Sequence, residues 1–206
     1  MSNNNLGIPF ENKHFTATLT GKGFDSTILR AENISLSGKD INTITENKCN
    51  IIAYENLHEY TNIDQVLGQY GACIILYQLT ADYGHWVSIF KVDNKTLEYF
   101  DSYGLKVDGE LKFSQEHLRI HKGVITPHLT ALIHKSDHGY KVIFNNIALQ
   151  KLRKDENTCG RFAALRIRLR NIPLHIFQDL CTKNKCYNPS FWVSALTLSY
   201  SGFENF

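Results

Sequence analysis

The stretch ACIILYQLTADYGHWVSIFKVDNKTLEYFDSYG, residues 72–104, decides the fold. Ala72 to Leu79 is a nearly continuous apolar run, as expected of a central strand covered on both faces. Trp86 to Val92 is a second run, and Thr96 to Phe100 a third, rich in β-formers. Asp93-Asn94-Lys95 between them is a short polar turn. The pattern predicts an antiparallel hairpin. Folding the chain at 93–95 brings position 85 to within a residue or two of position 101, so the side chains of His85 and Asp101 can meet.

Working outward, Lys141 to Phe144 predicts another strand. Cys159 opens a helix in which Phe162, Leu165, Leu169 and Ile172 recur at helical spacing, ending before Pro173. His175 to Cys181 suits a further helix, and Phe191 to Tyr200 is apolar enough to dock on the core. On the other side, Ser37 can cap a short helix carrying Ile41 and Ile44, and Asn62 to Leu67 suits another. Between about 108 and 140 the pattern stays open, though Leu111, Phe113, Leu118 and Ile120 fit a helix. Residues 1–35 are rich in Asn, Thr, Ser and Gly without periodicity and predict an irregular or partly extended N-terminal arm. There is no internal repeat and no low-complexity linker. The expectation is an arm over 1–35 and one α+β domain over 36–206, a mixed, largely antiparallel sheet flanked by helices.

At 206 residues, 43% apolar and 20% charged, the chain can bury a sizeable core without staples. A net charge of +2 is too small to argue by itself for a nucleic-acid binder. Five cysteines, Cys49, Cys73, Cys159, Cys181 and Cys186, are odd in number and irregular in spacing. With the polar start Met1-Ser2-Asn3-Asn4-Asn5, they predict free thiols in a reducing compartment. No apolar run approaches the length of a membrane span.

The chemistry concentrates in four positions, in the chain order His85, Asp101, Gln150, Cys159. A thiol attacks a carbonyl as thiolate, a form that a helix N-terminus and an adjacent imidazolium both favour. Cys159 sits where a helix begins, and its backbone N–H there is a natural oxyanion donor. Gly160 is expected to leave room for a substrate backbone. A carboxylate on one nitrogen of His85 fixes the tautomer and stabilises the charged ring; losing such a group costs up to about 10⁴-fold in rate. The side-chain amide of Gln150 can donate to the same oxyanion. Each residue alone also fits a structural role: buried thiol, core histidine, turn aspartate. The combination is what points to a thiol protease.

The blocks GHWVSIFKVDNKTLEYFDSYG (84–104) and LQKLRKDENTCGRFAALRIRLRN (149–171) resemble the adenovirus maturation protease family, which includes the proteases of ubiquitin-like proteins. Among its members they look most like maturation proteases of virophages, Maverick/Polinton elements and large DNA viruses. The resemblance covers about residues 36–180. It implies an adenovirus-protease-like fold, His85 as general base, Asp101 as its partner, Cys159 as nucleophile, and an oxyanion hole from Gln150 and the Cys159 backbone. It further implies that Trp86 walls a narrow substrate groove suited to Gly-containing cleavage sites. The implied substrates are capsid or scaffold precursor proteins, and the implied location is the virion and the host-cell cytoplasm. No metal or organic cofactor is required, and a DNA or peptide activator is conceivable. The order His, Asp, Cys excludes the papain arrangement. Removal of ubiquitin-like modifiers, or a non-catalytic virion protein of the same fold, remain alternatives.

Three other features invite function. Residues 151–170 carry Lys151, Arg153, Lys154, Arg161, Arg166, Arg168 and Arg170 against Asp155 and Glu156. A solvated helix face with a charged loop is expected, and a DNA-binding face is the sharper alternative. His117, His121, His128, His134 and His138 lack the companions of a metal site, as do Cys181 and Cys186.

Overall fold

A computed structural model describes residues 22–80, 83–151, 153, 156–183 and 187–201. Its elements in chain order are helices α1 (Lys22–Glu32) and α2 (Gly38–Thr45), strand β1 (Asn50–Ala53), helix α3 (Ile63–Leu67), strands β2 (Ala72–Gln78), β3 (Gly84–Lys91) and β4 (Thr96–Phe100), helices α4 (Glu116–His121) and α5 (His128–His134), strand β5 (Lys141–Phe144), and helices α6 (Cys159–Arg168), α7 (Leu174–Thr182) and α8 (Pro189–Ser201). The five strands form one mixed sheet in the order β1-β2-β3-β4-β5. The two central pairings, β2–β3 and β3–β4, are antiparallel. The two edge pairings, β1–β2 and β4–β5, are parallel. This is the expected α+β arrangement.

Local signals explain the elements. Ser37 forms a capping box with Asp40: the Asp40 carboxylate accepts from the Ser37 N–H at 2.8 Å, and the Ser37 hydroxyl accepts from the Asp40 N–H at 3.3 Å. Asn62 caps α3 through the Gln65 N–H at 3.1 Å. Asp93 closes the β3–β4 turn by accepting from the Lys95 N–H at 2.7 Å.

The sheet is covered on both faces. On one face Tyr77, Val87, Ile89, Leu97 and Tyr99 pack with Leu57, Ile63, Val66, Leu129 and Leu132 from α3, α5 and the 3₁₀ turn Tyr54–Glu59. On the other, Ala72, Ile74 and Phe90 meet Ile41 and Ile44 of α2 and Ala163, Ala164 and Ile167 of α6. Phe100 continues that face with Phe162, Leu165, Phe177 and Val193. Cβ alternation along the strands produces the division.

Several expectations need correction. Lys22–Glu32 is helical where an irregular arm was expected; Ile28 and Ala31, three apart, pack with Phe191 and Leu198 of α8. β1 carried no sequence signal because NIIA is too short to show a period, and it forms only by parallel pairing with β2. A continuous helix over Leu111–Ile120 does not form. Ser114 Oγ donates to the Gln78 carbonyl and the Gln115 N–H to the Leu79 carbonyl, which ties the chain to the end of β2 and splits the segment.

Two arginines of the basic run are also not on a solvated face. Arg161 and Arg166 are fully buried. Arg161 donates to the Ala31 carbonyl at 3.3 Å and to Thr197 Oγ1 at 3.0 Å. Arg166 clasps Glu98 of β4 through Nε at 2.6 Å and Nη2 at 2.9 Å, and also donates to the Leu169 and Ile172 carbonyls. Its guanidinium lies 5.0 Å from the Phe90 ring centre and 5.1 Å from that of Phe177. Lys154 and Asp155 lie outside the described residues.

Truncating one partner of this buried pair strands the other charge in the core. E98A should therefore lose about 3–5 kcal/mol of stability in urea unfolding. D179A, which breaks the exposed Lys183–Asp179 pair on α7, should lose no more than about 0.5 kcal/mol. Equal effects would contradict this account of the core.

Candidate active site

The β3–β4 register builds the site. Ser88 pairs with Phe100, so residues 84–87 of β3 have no partner on β4. Position 101 would fall opposite position 87, and His85 lies two residues further along, pointing to the same face. Asp101 leaves the strand there and turns back toward the ring. His85 Nε2 donates to Asp101 Oδ1 at 2.9 Å, with both side chains fully buried.

The Asp-Ser-Tyr-Gly turn fixes Asp101. Its Oδ1 also accepts from the Tyr103 N–H at 2.8 Å, and its Oδ2 from the Leu105 N–H at 3.2 Å. Tyr103 stacks on the His85 ring, centroids 4.5 Å apart at 20°. Gly104 adopts a positive φ of 76°, and a Cβ there would lie 2.9 Å from the Ile147 carbonyl carbon. Asn145 grips the turn from the other side, donating to the Asp101 carbonyl at 2.6 Å.

That contact brings Gln150 to the same place. The Ser102 carbonyl accepts from the Leu149 and Gln150 N–H groups at 2.8 and 3.0 Å. Ser102 Oγ donates to Gln150 Oε1 at 2.8 Å, and Gln150 Nε2 donates to the Glu156 carbonyl at 3.1 Å. A primary amide has two N–H donors, so one remains for another acceptor.

Cys159 is the first residue of α6, where backbone N–H groups lack intrahelical acceptors. The segment before it is held by α1: the Asn157 N–H donates to the Glu32 carbonyl at 2.7 Å, and Asn157 Nδ2 to the Asn33 carbonyl at 2.9 Å. Cys159 borders a groove with Trp86, Leu36, Tyr83 and Asn157. Trp86 Nε1 donates to the Leu36 carbonyl at 3.2 Å. Gly160 packs against two walls of that groove. A Cβ there would lie 3.1 Å from the Trp86 ring and 3.2 Å from Leu36, so its small size serves the close packing of α6 on β3.

The electrostatics favour a charged histidine. Burial opposes charge on the ring, yet Asp101, Cys159 and Glu110 hold the His85 pKa well above the ordinary histidine value. Its Nδ1 is buried without a hydrogen bond, which leaves that nitrogen to serve Cys159. Burial alone would raise Asp101, but His85, Glu110 and the Tyr103 N–H hold it below the usual carboxylate range.

Glu110 had no sequence signal. It sits in the 3₁₀ turn Gly109–Lys112, fully buried, with Oε1 3.6 Å from His85 Nε2. His85, Asp101 and Glu110 bring possible metal-ligand atoms within 4.8 Å of one another, the one such set among the described residues. The hydrogen bonds of Asp101 to His85, Tyr103 and Leu105 account for its orientation without a cation. The His117–His138 series does not converge, and Cys186 lies outside the described residues.

No protein-family model matches this chain. The uncharacterized protein V9 of Sputnik virophage is 36% identical over 171 residues, spanning 81% of this chain and 96% of the relative. The chain belongs to the family of that virophage protein. Among solved structures, the ASFV pS273R protease aligns with a TM-score of 0.47 at 14% identity, covering 81% of this chain and 68% of the other. The central domain of the uncharacterized Lpg1148 protein of Legionella pneumophila aligns at 0.37 and 14%, covering 81% and 97%. No helix among the described residues is long and apolar enough to cross a membrane.

Cys49, Cys73, Cys159 and Cys181 are all free. Burial raises the thiol pKa of Cys49, pushes Cys73 well above its usual value, and lifts Cys181 to about 12. Iodoacetamide at neutral pH should therefore modify Cys159 ahead of Cys49, Cys73 and Cys181, as read by peptide mass mapping. Labelling of Cys73 or Cys181 at the same rate would contradict the described site.

Proposed function

We propose that this protein is a viral cysteine endopeptidase that cleaves virion precursor proteins, capsid or scaffold, at Gly-containing sites. The observation that carries the reading is the buried His85–Asp101 pair beside Cys159 at the start of α6, opening on a groove walled by Trp86. The family tie to a virophage protein supports a viral setting, and the virion and host-cell cytoplasm are the locations consistent with such a substrate.

In this reading the Cys159 thiolate attacks the scissile carbonyl while His85 carries the proton. The tetrahedral oxyanion takes hydrogen bonds from the Cys159 N–H and from the second N–H of Gln150. His85 then protonates the leaving amine, and the C–N bond breaks to leave a thioester on Cys159. Neutral His85 next takes a proton from water, whose attack releases the new carboxyl terminus and restores the thiolate–imidazolium pair. Asp101 keeps one ring nitrogen engaged throughout. No step calls for a metal or an organic cofactor. An activating DNA or peptide would show as faster cleavage on its addition, with a DNA effect fading as salt rises.

C159A should abolish cleavage of a capsid precursor from the same virus, assayed by gel and mass spectrometry. Q150A should lower kcat by about 10²–10³-fold through loss of one oxyanion donor. Full cleavage by C159A would refute the proposal. Cleavage confined to ubiquitin-like substrates in a parallel panel would replace the virion role with modifier removal.

A further inference from the structure

Glu110 is a fully buried carboxyl group that the reaction above does not use. Its position is fixed from outside the site. Asp108, two residues earlier, holds a left-handed conformation (φ 60°) and accepts from the Tyr54 hydroxyl at 2.6 Å, the Tyr77 hydroxyl at 3.3 Å and the Thr130 N–H at 2.8 Å. The turn thus delivers Glu110 against His85 and Asp101. Neither Glu110 oxygen accepts a hydrogen bond from a protein donor. A buried carboxylate that accepts no hydrogen bond and stands beside the Asp101 carboxylate is disfavoured by desolvation and by like charge, with only the His85 ring 3.6 Å away to offset them.

A proton on Glu110 removes both problems. Asp101 has about four lone-pair sites; His85, the Tyr103 N–H and the Leu105 N–H occupy three. The fourth can accept from a protonated Glu110. We propose that Glu110 is a positioning residue that carries a proton in the resting enzyme and donates it in a hydrogen bond to Asp101, keeping Asp101 ionised and aimed at His85. The inference rests on the triad reading of the preceding section.

The surrounding charges agree. Burial pushes the Glu110 pKa up; the His85 charge opposes the shift, Asp101 adds to it, and the total brings the group to about 8. Tyr99 of β4 and Tyr103 of the adjoining turn also face it, and Lys112 lies on its own turn. Through the hydrogen bond, Glu110 makes Asp101 less basic, so the proton stays on His85 when the ring is charged. Above about pH 8 the donor is lost and a second negative charge stands beside Asp101.

Infrared difference spectra of wild type against E110Q test the proton directly. A carboxylic-acid carbonyl band should be present in wild type at neutral pH, disappear with a midpoint near pH 8, and be absent from E110Q. E110Q, which keeps an N–H donor for Asp101, should retain kcat within a few-fold and lack the alkaline transition near pH 8. E110V should lower kcat by up to about 10²-fold at unchanged KM. Absence of the band at neutral pH, or an E110Q enzyme as impaired as E110V, would overturn the inference. If E110V does not fold, the band and the E110Q profile decide. The band is read without substrate and should persist in inactive C159A, so a wild type that shows it yet cleaves nothing would fault the triad reading and not the proton on Glu110.

Discussion

The bidentate bridge between Arg166 of α6 and Glu98 of β4 is the interaction on which the rest of the structure depends. It lies in the core, with Phe90 and Phe177 against the guanidinium and two carbonyls accepting from it as well. It fixes the C-terminal half of α6 on the sheet. The N-terminal half is fixed by contact, because Gly160 lets the helix settle onto Trp86 and Leu36. A helix pinned at both ends has one direction, and that direction sets Cys159 at the end of the sheet where β4 has peeled away from β3. A free charge would not survive such burial; paired, planar and held by four hydrogen bonds, it specifies the docking geometry.

The same logic of shared anchors runs through the site. One turn, Asp101 to Gly104, supplies the carboxylate, the ring that stacks on His85, and the carbonyl that gathers Gln150. The site residues are therefore not independent. Anything that moves the turn moves both Asp101 and Gln150. α1 plays the matching part for the thiol, since its last carbonyls hold Asn157, two residues before Cys159. Glu32 and Asn33, read from composition as part of an irregular arm, are tied to the segment that carries Cys159.

What was legible in the sequence was local. The apolar runs of β2 and β3, the polar turn at 93–95, the Ser37 and Asn62 caps and the spacing of Phe162 and Leu165 all encode their outcome within a few residues. The meeting of His85 with Asp101 was legible because a hairpin converts sequence distance into geometry. What was not legible depends on partners far along the chain. β1 exists only through β2, α1 through α8, and the buried state of Arg161 and Arg166 through Ala31, Thr197 and Glu98. Glu110 is the extreme case: an acidic residue in a turn reads as solvated, and only the tertiary fold turns it inward. The close packing of Gly160 on Trp86 and Leu36 was not legible for the same reason, since both neighbours lie far along the chain.

In the proposed function, His85 activates Cys159 as a nucleophile. The most direct measurement is covalent capture: incubation with a peptide vinyl sulfone ending in glycine, followed by intact-mass analysis and peptide mapping. The account predicts a single adduct on Cys159 in the wild type and a sharply slower one in H85A. An adduct on another cysteine, or one on Cys159 that forms equally fast without His85, would contradict it.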